Sequence, residues 1–265
     1  MNDLNTLPFV SNATAQPKAL ASQEVACDHC GMYGMCGEAG LSRDTQMLEQ
    51  VVSRRTPLAR HSPLFSAGEP FQYLYALKSG SLAAKVEDGK GGSRIVGFYF
   101  PGDLLGLDAI EDRHYHTTVV AMEKSSVCKL DYDSVPLLGE HQGSFYRELI
   151  QAMSNRMMFE RWTSLLLGTQ STEQRVAAFM LYFSSQLKVR GLPHLEFRLP
   201  MTRRDIADYL GLAMETVSRA LSGLQKKGVL ATKGRSTQIS SLQGLHKLAE
   251  LTPELTALSL VSRED

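Results

Sequence analysis

The sequence predicts an α+β protein built from an N-terminal β-roll, a long helix and a C-terminal winged helix-turn-helix. Between about residues 57 and 135, short segments rich in β-branched and aromatic residues alternate with glycine, proline and aspartate turns. Residues 140–168 have helical periodicity, and residues 201–240 have the spacing of a helix-turn-helix followed by a hairpin. We therefore divide the chain into a tail with a cysteine-rich loop, a roll, a long helix and a winged helix-turn-helix domain: 1–40, 41–139, 140–168 and 169–265.

The composition gives no overall preference for a charged partner. The chain of 265 residues carries 28 basic and 28 acidic side chains, so any basic surface must be local. The N-terminus lacks the basic start and apolar core of a secretory signal, and no apolar run approaches the roughly 18 residues of a membrane span. We therefore expect a cytoplasmic protein with no membrane partner.

Three of the four cysteines lie within ten residues, with the spacing C-x2-C-x5-C: Cys27, Cys30 and Cys36. The fourth is Cys128. Cytosolic thiols stay reduced, so this cluster predicts metal binding or redox chemistry, and soft thiolates bind zinc, copper(I) or iron–sulfur clusters. Zinc sites usually use two C-x2-C pairs, whereas one loop with three thiols suits a larger cluster; zinc nevertheless remains an alternative. We expect His29 to be a solvent-facing loop residue rather than a ligand.

The segments on either side of this loop have different expected structures. Residues 1–26 are polar and aperiodic and predict a mobile tail, whereas the apolar spacing of residues 42–55 predicts a short helix. The roll strands are expected in FQYLYALKSGSLAAKVE, SRIVGFYF and SSVCKLDY, with turns at Gly68, Gly80, residues 89–92 and residues 101–103. Rolls of this kind either enclose a ligand or fill their interior with side chains.

A heptad pattern marks the long helix. Steps of four and three connect a row that we call the seam, and such a row predicts a parallel coiled-coil dimer. The alternative is an amphipathic helix packed only on its own domain. The seam consists of Tyr146, Ile150, Met153, Met157, Glu160, Ser164 and Leu167.

The C-terminal segment carries the helix-turn-helix pattern. Ala207 precedes Gly211 by four residues and Val217 follows it by six, which places a small residue at the helix crossing and glycine in the turn. Basic residues outnumber acidic ones by seven to three over residues 201–235, which suits phosphate contacts. A helical hairpin without DNA is the alternative. Residues 229–240 alternate as a β-hairpin wing.

Together these features resemble the CRP/FNR family of bacterial transcription regulators, and within it the FNR-type, oxygen-responsive branch. The resemblance spans Cys27 to about Ile239. It is carried by the cysteine loop, by Cys128 in SSVCKL, by FYFPGDLLGLDAI and by Glu215-Thr216-Val217-Ser218-Arg219. The resemblance implies a jelly roll of the cyclic-nucleotide-binding type, a homodimer and binding to double-stranded DNA, with no enzymatic activity.

The resemblance also implies which residues contact DNA. A dimer presents two recognition helices to successive major grooves, so the site is expected to be palindromic, of TTGAT…ATCAA type. Arg219 is expected to contact guanine, Glu215 a cytosine amino group and Ser218 an adjacent base edge. Thr202 and Arg203 are further expected DNA contacts.

The roll is not expected to bind a cyclic nucleotide. Members that bind one place glutamate after a glycine and an Arg-Ser/Thr-Ala group at the phosphate. Here Leu107 follows Gly106, and the phosphate segment is Tyr115-His116-Thr117. A buried phosphate without its arginine would be an uncompensated charge, and Arg113 lies at the wrong position.

The resemblance implies instead a 4Fe–4S cluster held by Cys27, Cys30, Cys36 and Cys128. Glu160 would oppose dimerisation, because two copies of a carboxylate meet near the dimer axis.

The loop from Glu87 to Arg94 would contact RNA polymerase, with an inert hairpin tip as the alternative. Two competing functions remain: the same regulator with structural zinc, and a redox enzyme with an incidental helix-turn-helix. The second lacks a nucleotide-binding glycine fingerprint or paired catalytic acids.

Overall fold

The computed structural model describes Leu20 and residues 52–87, 89 and 91–251. Its residues form two compact units, one within Leu20–Arg156 and one within Met157–Asp265. The predicted α+β class is confirmed, since the first unit is a strand-rich roll and the second combines helices with a small sheet.

The first unit is made of two four-stranded antiparallel sheets. One has the order β1-β8-β3-β6 and the other β2-β7-β4-β5. A 3-10 turn at Leu107–Ala109 follows β6. The strands are β1 (Val52–Leu58), β2 (Pro63–Phe65), β3 (Tyr73–Ser79), β4 (Leu82–Glu87), β5 (Ser93–Tyr99), β6 (Leu104–Leu105), β7 (Thr118–Ala121) and β8 (Ser125–Asp131).

The predicted strand segments are confirmed because their apolar residues line the space between the sheets. Leu77, Leu82 and Leu130 are fully buried there. Gly80 turns the chain from β3 to β4 at φ 88°, and a Cβ at this position would lie 2.2 Å from Ser125 Oγ. Only glycine meets both conditions. The Gly80 amide also donates to the Leu20 carbonyl at 3.1 Å.

The helix predicted over residues 42–55 is wrong for its last four residues. Residues 42–51 lie outside the described residues, and Val52 begins β1. Val52 pairs with Leu130 of β8 and is buried in the roll core. Strand pairing with β8 therefore overrides a helical spacing that extended only a few residues.

A 3-10 helix, Tyr132–His141, connects β8 to the long helix α1, Gln142–Thr169. The predicted helix over 140–168 is thus confirmed. In the first unit α1 packs through Phe145, Leu149 and Ala152, which belong to or lie against the roll core. After Arg156 the helix belongs to the second unit, where Trp162 and Leu166 are buried.

The second unit is a winged helix-turn-helix. Its segment LEFRLP contributes one short strand to a three-stranded sheet. Helix α2 begins with a capping box at Ser171 and Gln174 and is buried over most of its length. The elements are α2 (Thr172–Val189), β9 (Glu196–Arg198), α3 (Arg203–Leu210), α4 (Met214–Lys226), β10 (Leu230–Lys233), β11 (Ser236–Ile239) and α5 (Leu242–Ala249). Among the described residues, no helix is long and apolar enough to cross a membrane.

Candidate functional site

Helices α3 and α4 form the predicted helix-turn-helix. Thr202 caps α3: its Oγ1 accepts a hydrogen bond from the Asp205 amide at 3.2 Å, and its own amide donates to Asp205 Oδ2 at 2.7 Å. Gly211 ends the helix at φ 65°, a conformation that glycine adopts without strain. Both ends of the short helix α3 are therefore determined by its own sequence.

Small and β-branched residues hold the two helices together. Ala207 is 3% exposed and Val217 is fully buried, as the spacing around Gly211 predicts. The Leu212 amide donates to the Ala207 carbonyl at 2.8 Å. Helix α1 supports this pair from its second half, where Thr163 Oγ1 lies 3.0 Å from the Tyr209 hydroxyl. The outer side of α4 is not covered by this packing and is therefore accessible to a ligand.

The outer side of α4 carries the predicted base-contacting residues. Glu215 and Arg219 are exposed, and Ser218 is half-buried between them. Arg203 at the start of α3 reaches across the turn, and its Nη1 donates to Ser218 Oγ at 3.4 Å. The fold thus brings Arg203, Ser218, Glu215 and Arg219 to one surface. Carboxylate, hydroxyl and guanidinium groups are the donors and acceptors that bind base edges and phosphates.

Met214 lies on the same surface, and the sequence interpretation missed it. It is the first residue of α4, and its side chain is 45% exposed although it is large and apolar. An apolar side chain on a major-groove helix contacts thymine methyl groups. Its position directly before Glu215 was the available signal.

The wing lies beside these helices. Strands β10 and β11 pair from Leu230 to Ile239, with Gly234 in the turn at φ 63°. Arg235 Nη1 donates to the Pro200 carbonyl at 3.1 Å, which attaches the wing to the segment preceding α3. Lys227 forms an ion pair with Glu173, so its charge is partly neutralised, while Lys233 is exposed at the wing tip.

The predicted cluster ligands fall mostly outside the described part of the chain. Cys27, Cys30 and Cys36 belong to residues that the structure does not describe. Cys128 is half-buried in β8, opposite Ala76 of β3, and forms no disulfide with any described residue. Within 52–251, where described, no three histidine, cysteine or acidic side chains are grouped for a metal. Cys128 fits a cluster ligand only if the other thiolates come from the N-terminal loop.

The roll interior next to Gly106 is filled with aromatic rings. Phe65 stacks on Tyr115 with ring centroids 3.9 Å apart. Phe71 packs on Tyr115 in a T-shaped arrangement, with ring centroids 5.6 Å apart. The Tyr115 hydroxyl donates to the Tyr73 carbonyl at 2.8 Å. Burial raises the pKa of Tyr115, so its hydroxyl stays protonated as a donor. A Cβ on Gly106 would lie 3.3 Å from the Tyr115 ring and 3.5 Å from the Phe71 ring, so the aromatic side chains pack closely against this glycine.

Arg113 lies near this cluster but outside it. Its guanidinium is 5.2 Å from the centre of the Phe71 ring and 5.4 Å from that of Tyr132, and it forms an ion pair with Asp133. Because its charge is already paired on the surface, Arg113 is not available to a phosphate inside the roll.

The seam of α1 is exposed. Tyr146, Ile150, Met153 and Met157 are 39, 66, 37 and 70% exposed, and Glu160 is also exposed. The helix packs on its own unit through the different row of Phe145, Leu149 and Ala152. The seam is therefore not the surface that packs on the chain's own roll.

Comparison with known proteins identifies both halves of the chain. Residues 174–248 match the Crp-like helix-turn-helix domain, and residues 55–138 match the cyclic nucleotide-binding domain. The chain is 34% identical over 234 residues to the transcriptional activator protein FnrA of Stutzerimonas stutzeri, covering 88% of this chain and 96% of that one. It is 34% identical over 226 residues to the fumarate and nitrate reduction regulatory protein of Escherichia coli (strain K12), covering 85% and 90%.

A solved structure extends the likeness to three dimensions. FixK2 from Bradyrhizobium japonicum has a TM-score of 0.69 and 29% sequence identity to this chain, and covers 76% of this chain and 99% of its own. The likeness therefore includes both the roll and the winged helix-turn-helix.

Proposed function

Because this chain belongs to the CRP/FNR family of DNA-binding transcription regulators, which are not enzymes, we propose that it is an oxygen-responsive activator. It binds a palindromic TTGAT-type site as a homodimer while a 4Fe–4S cluster is intact, and releases DNA in air. The alternative of a redox enzyme is excluded by the family. The curated relatives include proteins named as a transcriptional activator and as an anaerobic regulatory protein.

The observation that carries the proposal is the exposed seam of α1 with Glu160 in it. A row of four large apolar side chains on one helix face is a dimerisation surface, and a carboxylate in the same row makes the dimer marginal. A marginal dimer responds to a modest signal, since about 5.5 kcal/mol carries a two-state equilibrium from mostly off to mostly on.

The signal would enter through the thiolates. Cys27, Cys30, Cys36 and Cys128 would hold the cluster, and the chemistry that it would supply there is sensitivity to oxygen. Cys128 lies three residues before the end of β8, and the 3-10 helix at Tyr132 connects β8 directly to α1. Attachment of the N-terminal loop at Cys128 thus acts on the strand that leads into the dimerisation helix.

At the other end, α4 supplies the recognition surface. Arg219 would contact guanine and Glu215 a cytosine amino group, with Thr202 and Arg203 as further contacts to the DNA backbone. RNA polymerase is the proposed partner of the exposed β4–β5 hairpin tip, where Glu87 and residues 93–94 are exposed. The aromatic filling beside Gly106 supports a signal other than a cyclic nucleotide.

An anaerobic absorption spectrum tests the proposal most directly. The chain purified without oxygen should show the visible charge-transfer absorption of an iron–sulfur cluster, and air should bleach it while dimer and DNA binding are lost. A Cys128→Ser variant is the control and should lack the absorption. A colourless protein that contains zinc and binds DNA equally in air would support the structural-zinc alternative.

A further inference from the structure

Arg156 occupies an unusual place on α1. It continues the inward row of Phe145, Leu149 and Ala152 by one more turn, at steps of four, three and four. The first two of these residues are buried, but Arg156 is half-buried and carries a charge. It is also the last residue of α1 that belongs to the first unit.

The side chain of Arg156 lies on β5, which is an edge strand of its sheet. Its guanidinium carbon is 4.7 Å from the centre of the Tyr99 ring, within the range of a cation–π contact. Tyr99 and Gly97 are two residues apart on β5 and so point to the same side. A cation–π contact therefore joins the helix to the strand.

Gly97 leaves room for this contact. A Cβ built on Gly97 would lie 2.9 Å from Arg156 Nη2, and its three nearest atoms would all belong to that guanidinium. Gly97 is not among the glycines with positive φ, so its backbone does not require glycine. The Arg156 guanidinium thus occupies the space that a side chain at position 97 would take.

From these contacts we propose that Arg156 is a positioning residue for dimerisation. Its guanidinium on Tyr99 and against Gly97, which we call the Arg156 anchor, fixes the rotation of α1 about its own axis. The rotation matters because Met153 and Met157 of the seam flank Arg156. On a helix about 10 Å across, a turn of about 20° moves a side chain by roughly 2 Å, enough to disturb knobs-into-holes packing.

This inference rests on the proposed dimer and adds a residue that lies outside the seam. The anchor keeps α1 in the rotation that can dimerise. Because both copies must be in that rotation, the association constant of the dimer is proportional to the square of the fraction of chains that adopt it. If loss of the anchor lowers this fraction to about one third, the dimer dissociation constant rises about tenfold.

The test compares full-length variants purified without oxygen, by sedimentation equilibrium. Arg156→Gln removes the cation, Tyr99→Leu removes the ring, and Gly97→Ala displaces the guanidinium while every charge is kept. Each should raise the dimer dissociation constant about tenfold, with thermal unfolding close to that of wild type. Arg156→Lys should retain part of the effect, because an ammonium also binds an aromatic face.

Two controls separate this role from simple charge effects. Arg94→Gln changes an exposed arginine of β5 and should leave the dimer constant unchanged. Arg156 is also four residues before Glu160, so its loss changes the charge near that carboxylate. If Arg156→Gln weakens the dimer while Gly97→Ala and Tyr99→Leu do not, the charge is responsible and the anchor is refuted.

Hydrogen exchange in air gives a second measurement that does not depend on the dimer. In the monomer, amides 153–157 should exchange faster in Gly97→Ala than in wild type, and equal exchange contradicts the anchor. A wild-type chain that stays monomeric without oxygen would instead refute the proposed function, whatever the variants do.

Discussion

Arg219 and Glu215 lie one helical turn apart on the exposed side of α4, where no other part of the described unit covers them. Arg219→Ala should weaken binding to a TTGAT-type palindrome by about 1–3 kcal/mol and relax the choice of base at one position, because a bidentate guanine contact is lost. Fluorescence anisotropy on a set of single-base variants measures both effects. Lys233→Ala at the wing tip is the control and should weaken all sequences alike. Equal loss on random DNA for Arg219→Ala would mean a phosphate contact only.

Met214 gives a prediction based on a single methyl group. Replacing the thymine that it contacts by deoxyuridine should cost wild type roughly 1 kcal/mol, and Met214→Ala should be insensitive to the same replacement. The measurement is a thymine-by-thymine scan of the half-site with both proteins. Leu195→Ala, an exposed apolar residue outside α4, should respond to uridine as wild type does. A scan in which no thymine depends on Met214 contradicts the contact.

The aromatic cluster makes stability fall at alkaline pH. Burial raises the pKa of Tyr75 above its ordinary value, with a further contribution from Tyr115. Above about pH 10 the unfolded chain has lost this proton while the folded chain retains it, so stability is complete below that pH and declines above it by up to ~1.4 kcal/mol per pH unit. Urea unfolding from pH 8 to 11 should show a shallower decline in Tyr75→Phe. Tyr146→Phe, on the exposed face of α1, should keep the wild-type slope.

Helix α1 has one face that is exposed and another face that packs on the roll. The heptad pattern identifies the exposed seam, but it does not identify the row through Phe145 and Leu149 that packs on the roll. A seven-residue repeat identifies the residues through which one helix can pack against an identical helix. Packing of the helix on a sheet depends instead on residues far away in the chain. Gly97 and Tyr99 of β5 are such residues, and nothing near Arg156 in sequence indicates them.

Glu160 gives the prediction that belongs to this helix. Glu160→Ala should produce a dimer that persists in air, with association strengthened about tenfold, because two desolvated carboxylates no longer meet at the axis. Sedimentation in the presence and absence of oxygen measures this. Glu148→Ala removes a carboxylate from α1 outside the seam and should behave as wild type. A Glu160→Ala chain as monomeric in air as wild type would contradict the account of the seam.

Short strands and helix ends show the limits of local sequence patterns. Residues 52–55 have a helical spacing and still form the start of β1, because Val52 gains a partner in Leu130 from the far end of the roll. The helix-turn-helix was predictable in detail, since Thr202, Ala207, Gly211 and Val217 act on their immediate neighbours. Features set by neighbours in sequence could be predicted, and features set by distant partners could not.

Under the proposed function, the signal enters at Cys128 in the first unit and changes DNA binding by the second. Cys128→Ser should lose anaerobic dimerisation and DNA binding, because one of the four thiolates is missing. Adding Glu160→Ala to Cys128→Ser should restore both, since the seam then associates without the cluster. Anisotropy and sedimentation without oxygen measure the pair. A double variant that dimerises but does not bind DNA would show that Cys128 also acts on α4 by another route.

The candidate site illustrates the same division between local and distant causes. The exposed positions of Glu215 and Arg219 follow from the helix-turn-helix spacing, and the half-buried position of Cys128 follows from its place in a roll strand. The contact of Arg203 with Ser218 crosses the turn between two helices, and the stacking of Phe65 on Tyr115 joins residues that are far apart in the chain. These contacts decide which groups are available to DNA and which space is available to a ligand.

The stacked rings of Phe65 and Tyr115 bear on how quickly the protein responds to its signal. A regulator that binds a small molecule reversibly in an open cavity follows the concentration of that molecule. The bound fraction adjusts at a rate set by association and dissociation. Here aromatic side chains pack beside Gly106, and under the proposed function each response consumes a bound cluster that must be rebuilt. Such a regulator answers quickly to the arrival of its signal and slowly to its departure, and the chain therefore retains a record of recent exposure.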